Sequence, residues 1–210
     1  MKTEDLIEAL AVGLEPARPS RLNPLMLAGA AAVAGVAVAM LLGVRGDIAD
    51  AVTGPVFWLK AAYTGALALA AGWLATQLGR PGTNVGPAWR AVAGVAAVAV
   101  LAGAVELARS PPQARLDDWL GFTWTICARN ILMVSALTGP LVFLSARSLA
   151  PTRPGQAGAA IGLLSGAIAA TAYGLHCPEA TAAFVATWYT LGMAAAAAIG
   201  ALVGRFALRW

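Results

Sequence analysis

Residues 25–44 read LMLAGAAAVAGVAVAMLLGV, twenty consecutive positions without a charge. A helix needs about 20 apolar residues to cross the hydrocarbon core of a bilayer. A helix apolar on every face belongs in a membrane or deep in a large core. The run reads as a retained span rather than a secretory leader. The segment before it is long and acid-rich, and no convincing cleavage site precedes Arg45.

Working outward, five more runs follow. They cover about 56–78, 90–108, 124–146, 156–175 and 182–204. The second holds one charge, Lys60, the third Glu106 and the fourth Arg129, while the fifth and sixth are uncharged. Lys60, Glu106 and Arg129 lie near span ends, where long side chains are expected to snorkel toward the headgroups. Gly139-Pro140 is a candidate kink in the fourth span. The expected fold is therefore all-α, a polytopic bundle of six transmembrane helices. It divides into a cytoplasmic amphipathic segment 1–24, a membrane domain 25–204 and a short tail 205–210. Composition agrees: 60% of the 210 residues are hydrophobic and 11% charged, against about 25% charged in soluble domains. No segments of alternating polarity suggest a β-barrel.

Basic residues set the expected orientation. With the N-terminus in the cytoplasm, Lys2, Arg18, Arg21, Arg80, Arg90, Arg147, Arg153, Arg205 and Arg209 lie inside. Only Arg45, Arg109 and Arg115 lie outside, with Lys60 and Arg129 just within the membrane edge. Positive residues favour the inside, so both termini are expected in the cytoplasm. The net charge of +4 comes from scattered residues without a basic stripe, which argues against direct nucleic-acid binding. The loops are too short for a catalytic domain, and no Walker motif is present.

Three features remain. Leu6, Ile7, Leu10 and Leu14 form an apolar stripe at helical spacing in the N-terminal segment, with Asp5 and Glu8 beside it. A helix this short needs a partner to hold it. Gly158, Gly162 and Gly166 in the fifth span, with Gly200 and Gly204 in the sixth, are close-packing faces. They serve packing within one chain or between chains, so a homo-oligomer is one of two outcomes. The third feature is the pair Cys127 and Cys177, fifty residues apart. Adjacent spans run in opposite directions, which puts both at the outer edge of the bilayer. An oxidising compartment permits a disulfide there. Cys127, near a helix N-terminus, is the expected attacking thiolate, with Cys177 resolving. His176 and Glu179 allow a second chemistry, a mixed site for a soft metal with the two cysteines. The plainer alternative is two small residues packed at helix ends, or a permanent staple.

The stretches MKTEDLIEAL at 1–10, TWTICARNI at 123–131, LSGAIAATAYGLHCPEATAAFVATWYTLG at 164–192 and the closing GRFALRW at 204–210 resemble the NrsF family, anti-sigma factors of the proteobacterial inner membrane. The resemblance implies a multi-pass inner-membrane regulator that sequesters an extracytoplasmic-function sigma factor and releases it on stress. It implies no cofactor. Joined to it, the stripe Leu6, Ile7, Leu10 and Leu14, with Asp5 and Glu8, becomes the expected sigma-factor contact. Cys127, Cys177, His176 and Glu179 become the expected sensor of an envelope thiol-reactive, oxidative or metal signal. Two competing readings are a membrane thiol oxidoreductase and a small transporter. The first lacks a CxxC pair, and the second has no evident inverted repeat.

Overall fold

The computed structural model describes residues 3–12 and 21–208, except for the side chain of Leu10. Leu14 and the rest of the Pro-rich stretch 13–20 lie outside the described residues. The chain is all helical within those limits. Helix α1 is Thr3–Ala11. Helix α2, Pro24–Ala37, continues through a π turn, Val38–Leu42. A single turn α3, Ile48–Ala51, leads into α4, Pro55–Leu78. Then come α5, Gly86–Arg109, and a short α6, Arg115–Leu120. Helix α7 is Trp124–Ser145 and α8 is Pro154–Tyr173. The last helix begins as α9, Ala182–Phe184, passes a π turn, Val185–Tyr189, and runs on as α10, Thr190–Ala207.

Local sequence explains the starts. Proline occupies the first turn of α2, α4, α5 and α8, where its missing N–H costs nothing and its fixed φ suits a helix. Asn23 caps α2 by accepting from the amides of Leu25 at 3.0 Å and Met26 at 3.4 Å.

Among the described residues, five stretches are long and apolar enough to cross a membrane: Pro24–Leu42, Gly86–Arg109, Arg115–Ser145, Pro154–Tyr173 and Ala182–Ala207. The chain is thus a multi-spanning helical membrane bundle. Helix α4 is not among the five although it has 24 residues. It carries Lys60, Tyr63, Thr64, Thr76 and Gln77, which lower its apolar character.

Helix α8 is the centre, packed against α10, α4, α7 and α2. Its tightest partner is α10. A Cβ at Gly158 would lie 2.7 Å from the Cα of Gly204, and one at Gly200 would lie 2.7 Å from the Cα of Gly162. A Cβ atom essentially never sits so close to another residue's backbone, so only glycine lets these backbones meet. The glycine stripes are consumed inside one chain. On its other faces α8 is tied by hydroxyls: Thr138 and Ser165 are 2.9 Å apart, and Thr171 donates to Thr64 at 2.8 Å.

Lys60 does not snorkel. It is 5% exposed, and its Nζ turns inward to donate to the carbonyls of Cys177 at 3.1 Å and Glu179 at 2.7 Å. The carbonyls of an irregular loop need donors, and the ammonium supplies them. Glu106 is also engaged in protein, accepting from the amide of Ala183 at 2.8 Å near the start of α9.

Candidate sensor site at the loop 174–181

The loop between α8 and α9 gathers more long-range polar contacts than any other connection described above. It holds His176, Cys177, Pro178 and Glu179. From one side Arg45 donates through its own backbone amide to Leu175 at 3.0 Å and through Nη1 to Cys177 at 3.3 Å. Arg45 is itself gripped by Asp47 through two contacts of 2.7 Å. That pairing holds the Asp47 carboxyl down at about 2, because a bidentate guanidinium favours the ionised form. From within the bundle, Lys60 holds the carbonyls of residues 177 and 179. Gly43 presents its carbonyl to Nδ1 of His176 at 3.0 Å, which makes that nitrogen the protonated donor.

Glu179 is 7% exposed and is a helix cap. Its Oε1 accepts from the amides of Phe122 and Thr123, both at 2.8 Å, and from the Thr123 hydroxyl at 2.9 Å. These donors stand at the N-terminus of α7, where backbone N–H groups are otherwise unpaired and the helix dipole favours an anion. Gly121 makes room for it: φ is +62°, and a Cβ there would fall 2.5 Å from Oε2 of Glu179. An L side chain is disfavoured at this position on both counts.

Cys127 lies in the first turns of α7, beneath that cap. The structure brings Cys127 and Cys177 together in one buried cluster, both free thiols and both fully buried. Tyr173 and Tyr189 pack in the same cluster, with ring centroids 5.7 Å apart. Neither hydroxyl has a conventional hydrogen-bond partner. Tyr173 stands beside Asn130 and Cys127, and Tyr189 beside Cys177. Tyr189 reaches this position on the π turn that opens the last helix, a distortion often found at functional sites.

The neighbouring Cys127 thiol, then Tyr189 and the charge of Lys60, hold the Cys177 thiol below its ordinary value. At Cys127 the helix N-terminus is already occupied by the carboxylate of Glu179, so its dipole has an anion before any thiolate forms. Cys177 is the sulfur surrounded by donors. The metal site fares differently. Among the described residues no group of three His, Cys, Asp or Glu side chains is placed to hold an ion. Glu179 faces α7, and His176 is turned to Gly43.

Sequence reasoning found both cysteines, His176 and Glu179, but missed Arg45, Lys60, Tyr173 and Tyr189. Lys60 carried a readable signal, since a charge inside an apolar helix usually has a specific partner. Of the expected partner contact, Asp5, Leu6, Ile7 and Glu8 lie on α1 and are exposed, Leu6 by 42% and Ile7 by 62%.

Residues 10–210 match the family model described as negative regulator of sigma F, NrsF. The chain is 45% identical over 219 aligned positions to the anti-sigma-F factor NrsF of Caulobacter vibrioides, covering all of both chains. It is 41% identical over 217 positions to the probable anti-sigma-F factor NrsF of Azospira oryzae, again covering both in full. No solved structure matches. A buried thiol pair at one end of a multi-spanning bundle, continuous with relatives of that description from end to end, makes this chain a member of the NrsF family of negative regulators of sigma F.

Proposed function

We propose that the protein is a membrane-bound anti-sigma factor that sequesters an extracytoplasmic-function sigma factor and releases it on an envelope stress that acts on thiols. Its full-length similarity to an anti-sigma-F factor carries the reading. The role is regulatory and not enzymatic. In this reading α4 is the sixth span, at home in lipid because Lys60 and Thr64 bond inside the bundle. An even number of spans puts both termini on one side, and the basic residues named above put that side in the cytoplasm of a bacterial inner membrane.

The sigma factor meets α1. Leu6 and Ile7, with Leu10 and Leu14, enter an apolar groove, the mode of many amphipathic helices. Asp5 and Glu8 face a surface built for nucleic acid and therefore electropositive. The affinity comes mainly from the apolar anchors. A Leu6→Asp, Leu10→Asp double substitution should insert normally and lose the sigma factor in a pull-down of detergent-solubilised protein. Retention at wild-type affinity would defeat the assignment of this contact.

The signal enters at Cys127 and Cys177. Oxidation joins the two sulfurs into a disulfide, with two electrons and two protons passing to an oxidant; a soft metal ion would instead be held by the sulfurs as thiolates. Either event pulls on α7 and on the loop that Lys60 and Arg45 hold. Because both thiols are buried, attack waits on an opening of this end of the bundle. Cys127→Ser and Cys177→Ser, singly and together, should each abolish induced release. Thiol labelling of the wild type should change on stress. Unchanged regulation in all three variants, with constant labelling, would leave the cysteines as packing residues.

A further inference from the structure

Helices α4 and α5 do not close against each other along their length. A cleft of about 690 Å³ runs between them, within the range of about 300–1,000 Å³ typical of small-ligand sites. Leu59, Tyr63 and Ala66 of α4 and Gly94, Val98 and Ala102 of α5 form its walls. Lys60 lines it as well, near the end that carries the cysteine loop. Because the cleft follows the apolar lengths of two helices in a membrane bundle, lipid rather than water meets its side.

The charge of Lys60 is what this cleft leaves unanswered. The side chain is 95% removed from solvent. An ammonium has three N–H donors, and two of them serve the carbonyls of Cys177 and Glu179. Those carbonyls are neutral, and no carboxylate among the described residues forms an ion pair with Lys60. Neither nearby acid is in contact with the ammonium: Glu179 caps α7, and Glu106, a carboxylate lining the same cleft, accepts from the amide of Ala183. A buried cation without an anion is costly in a low-dielectric interior. A third donor, on an ammonium that no carboxylate touches, stands at one end of a long apolar cleft, which is the complement of an amphiphile with an anionic head.

We propose that the α4–α5 cleft binds an acyl chain whose anionic oxygen head group pairs with Lys60. The head belongs to a free fatty acid or to an anionic phospholipid, which share this chemistry. The site is independent of how the sigma factor is held. Its occupant would touch the same ammonium that supports the cysteine loop.

Radiolabelled palmitate binding to the purified full-length protein in neutral detergent tests this, with hexadecanol as the uncharged competitor. Palmitate should bind at about one per chain, and hexadecanol should compete at least tenfold less well, the ratio expected for losing a charged hydrogen bond. Lys60→Gln should remove that preference. Gly94→Leu should block binding while the protein stays folded, since a Cβ at Gly94 meets nothing within 4 Å. A parallel arm reconstitutes the protein in mixed phosphatidylglycerol and phosphatidylcholine vesicles and weighs the lipid retained on extraction. Selective retention of phosphatidylglycerol, lost in Lys60→Gln, assigns the head to a phospholipid; palmitate binding without it assigns a fatty acid. Equal affinity for palmitate and hexadecanol, binding indifferent to both substitutions, or no binding in either arm would overturn the proposal. Should Lys60→Gln fail to fold, Gly94→Leu and the palmitate–hexadecanol ratio decide by themselves.

Discussion

The α8–α10 seam and helix α5 show two ways for one chain to place a helix in a membrane. Along the seam, glycine faces glycine and backbone meets backbone. In the apolar window of α8, 61% of residues are buried, against 6% in that of α5. Helix α5 buries only Ala88, near its start, and Gly103, near the end by the cysteine loop. There Gly103 lets the backbone of Ala183 approach, with a Cβ position 2.9 Å from its Cα, and Glu106 accepts from the Ala183 amide. The difference separates a rigid spine from a helix pinned near its ends. Water does not drive helices together inside lipid, so the closeness of packing decides which pairs are firm.

The largest effect should come from placing the same residue in both. Gly200→Leu would drive a side chain into the backbone of α8 and should cost at least about 3 kcal/mol, close to abolishing folded protein. Gly94→Leu in α5 meets open space and should change stability by no more than about 0.5 kcal/mol, with helix propensity in its favour. Thermal unfolding in detergent measures both. Comparable damage from the two would erase the distinction between spine and pinned helix.

A smaller effect tests the tie between the spine and α7. Glu179→Ala removes three hydrogen bonds from a buried helix start and should cost about 2–3 kcal/mol. Glu179→Gln, which keeps an uncharged acceptor, should recover roughly half of that. Faster alkylation of Cys127 in Glu179→Ala than in wild type would show the opening directly; an unchanged rate would mean that the cap does not guard the thiol.

The smallest effect lies outside the membrane helices. Asp47 titrates at about 2, below its ordinary 3.8, because Arg45 favours its ionised form. A depressed carboxylate contributes stability that is complete above the unfolded value and is lost as pH falls through the folded one. The support that Asp47 lends to Arg45, and through it to the cysteine loop, should fade between about pH 4 and pH 2. Asp47→Asn should flatten the acid limb of the melting curve in that window by a small, salt-screened amount, since the pair is exposed. An acid limb identical to wild type would remove Asp47 from the set of groups that steady the loop.

Much of the architecture was legible as runs of apolar residues. The glycine stripes were visible too, but the sequence left open whether they join spans or chains. The site was readable in outline. Alternating span direction was enough to bring Cys127 and Cys177 to one end of the bundle. Their chemistry was not readable, because it depends on groups distant in sequence: Lys60 turned inward instead of outward, and Glu179 occupied the helix start beside Cys127. Snorkelling is the default for a lysine near a span end, and it lost here to two unpaired loop carbonyls. Helix α4 shows the limit of hydropathy, since its polar side chains are answered inside the fold and an average over the segment cannot register that.

The capping carboxylate also sets an order of events during synthesis. Helix α7 is synthesised before Glu179, its cap, the donors at Phe122 and Thr123 lying 57 and 56 residues upstream. Chains emerge N-terminus first, so α7 must wait with its first turn unsealed until α8 has inserted and the loop has folded back across it. The thiol of Cys127 waits with it, and its enclosure records that the second half of the protein has arrived.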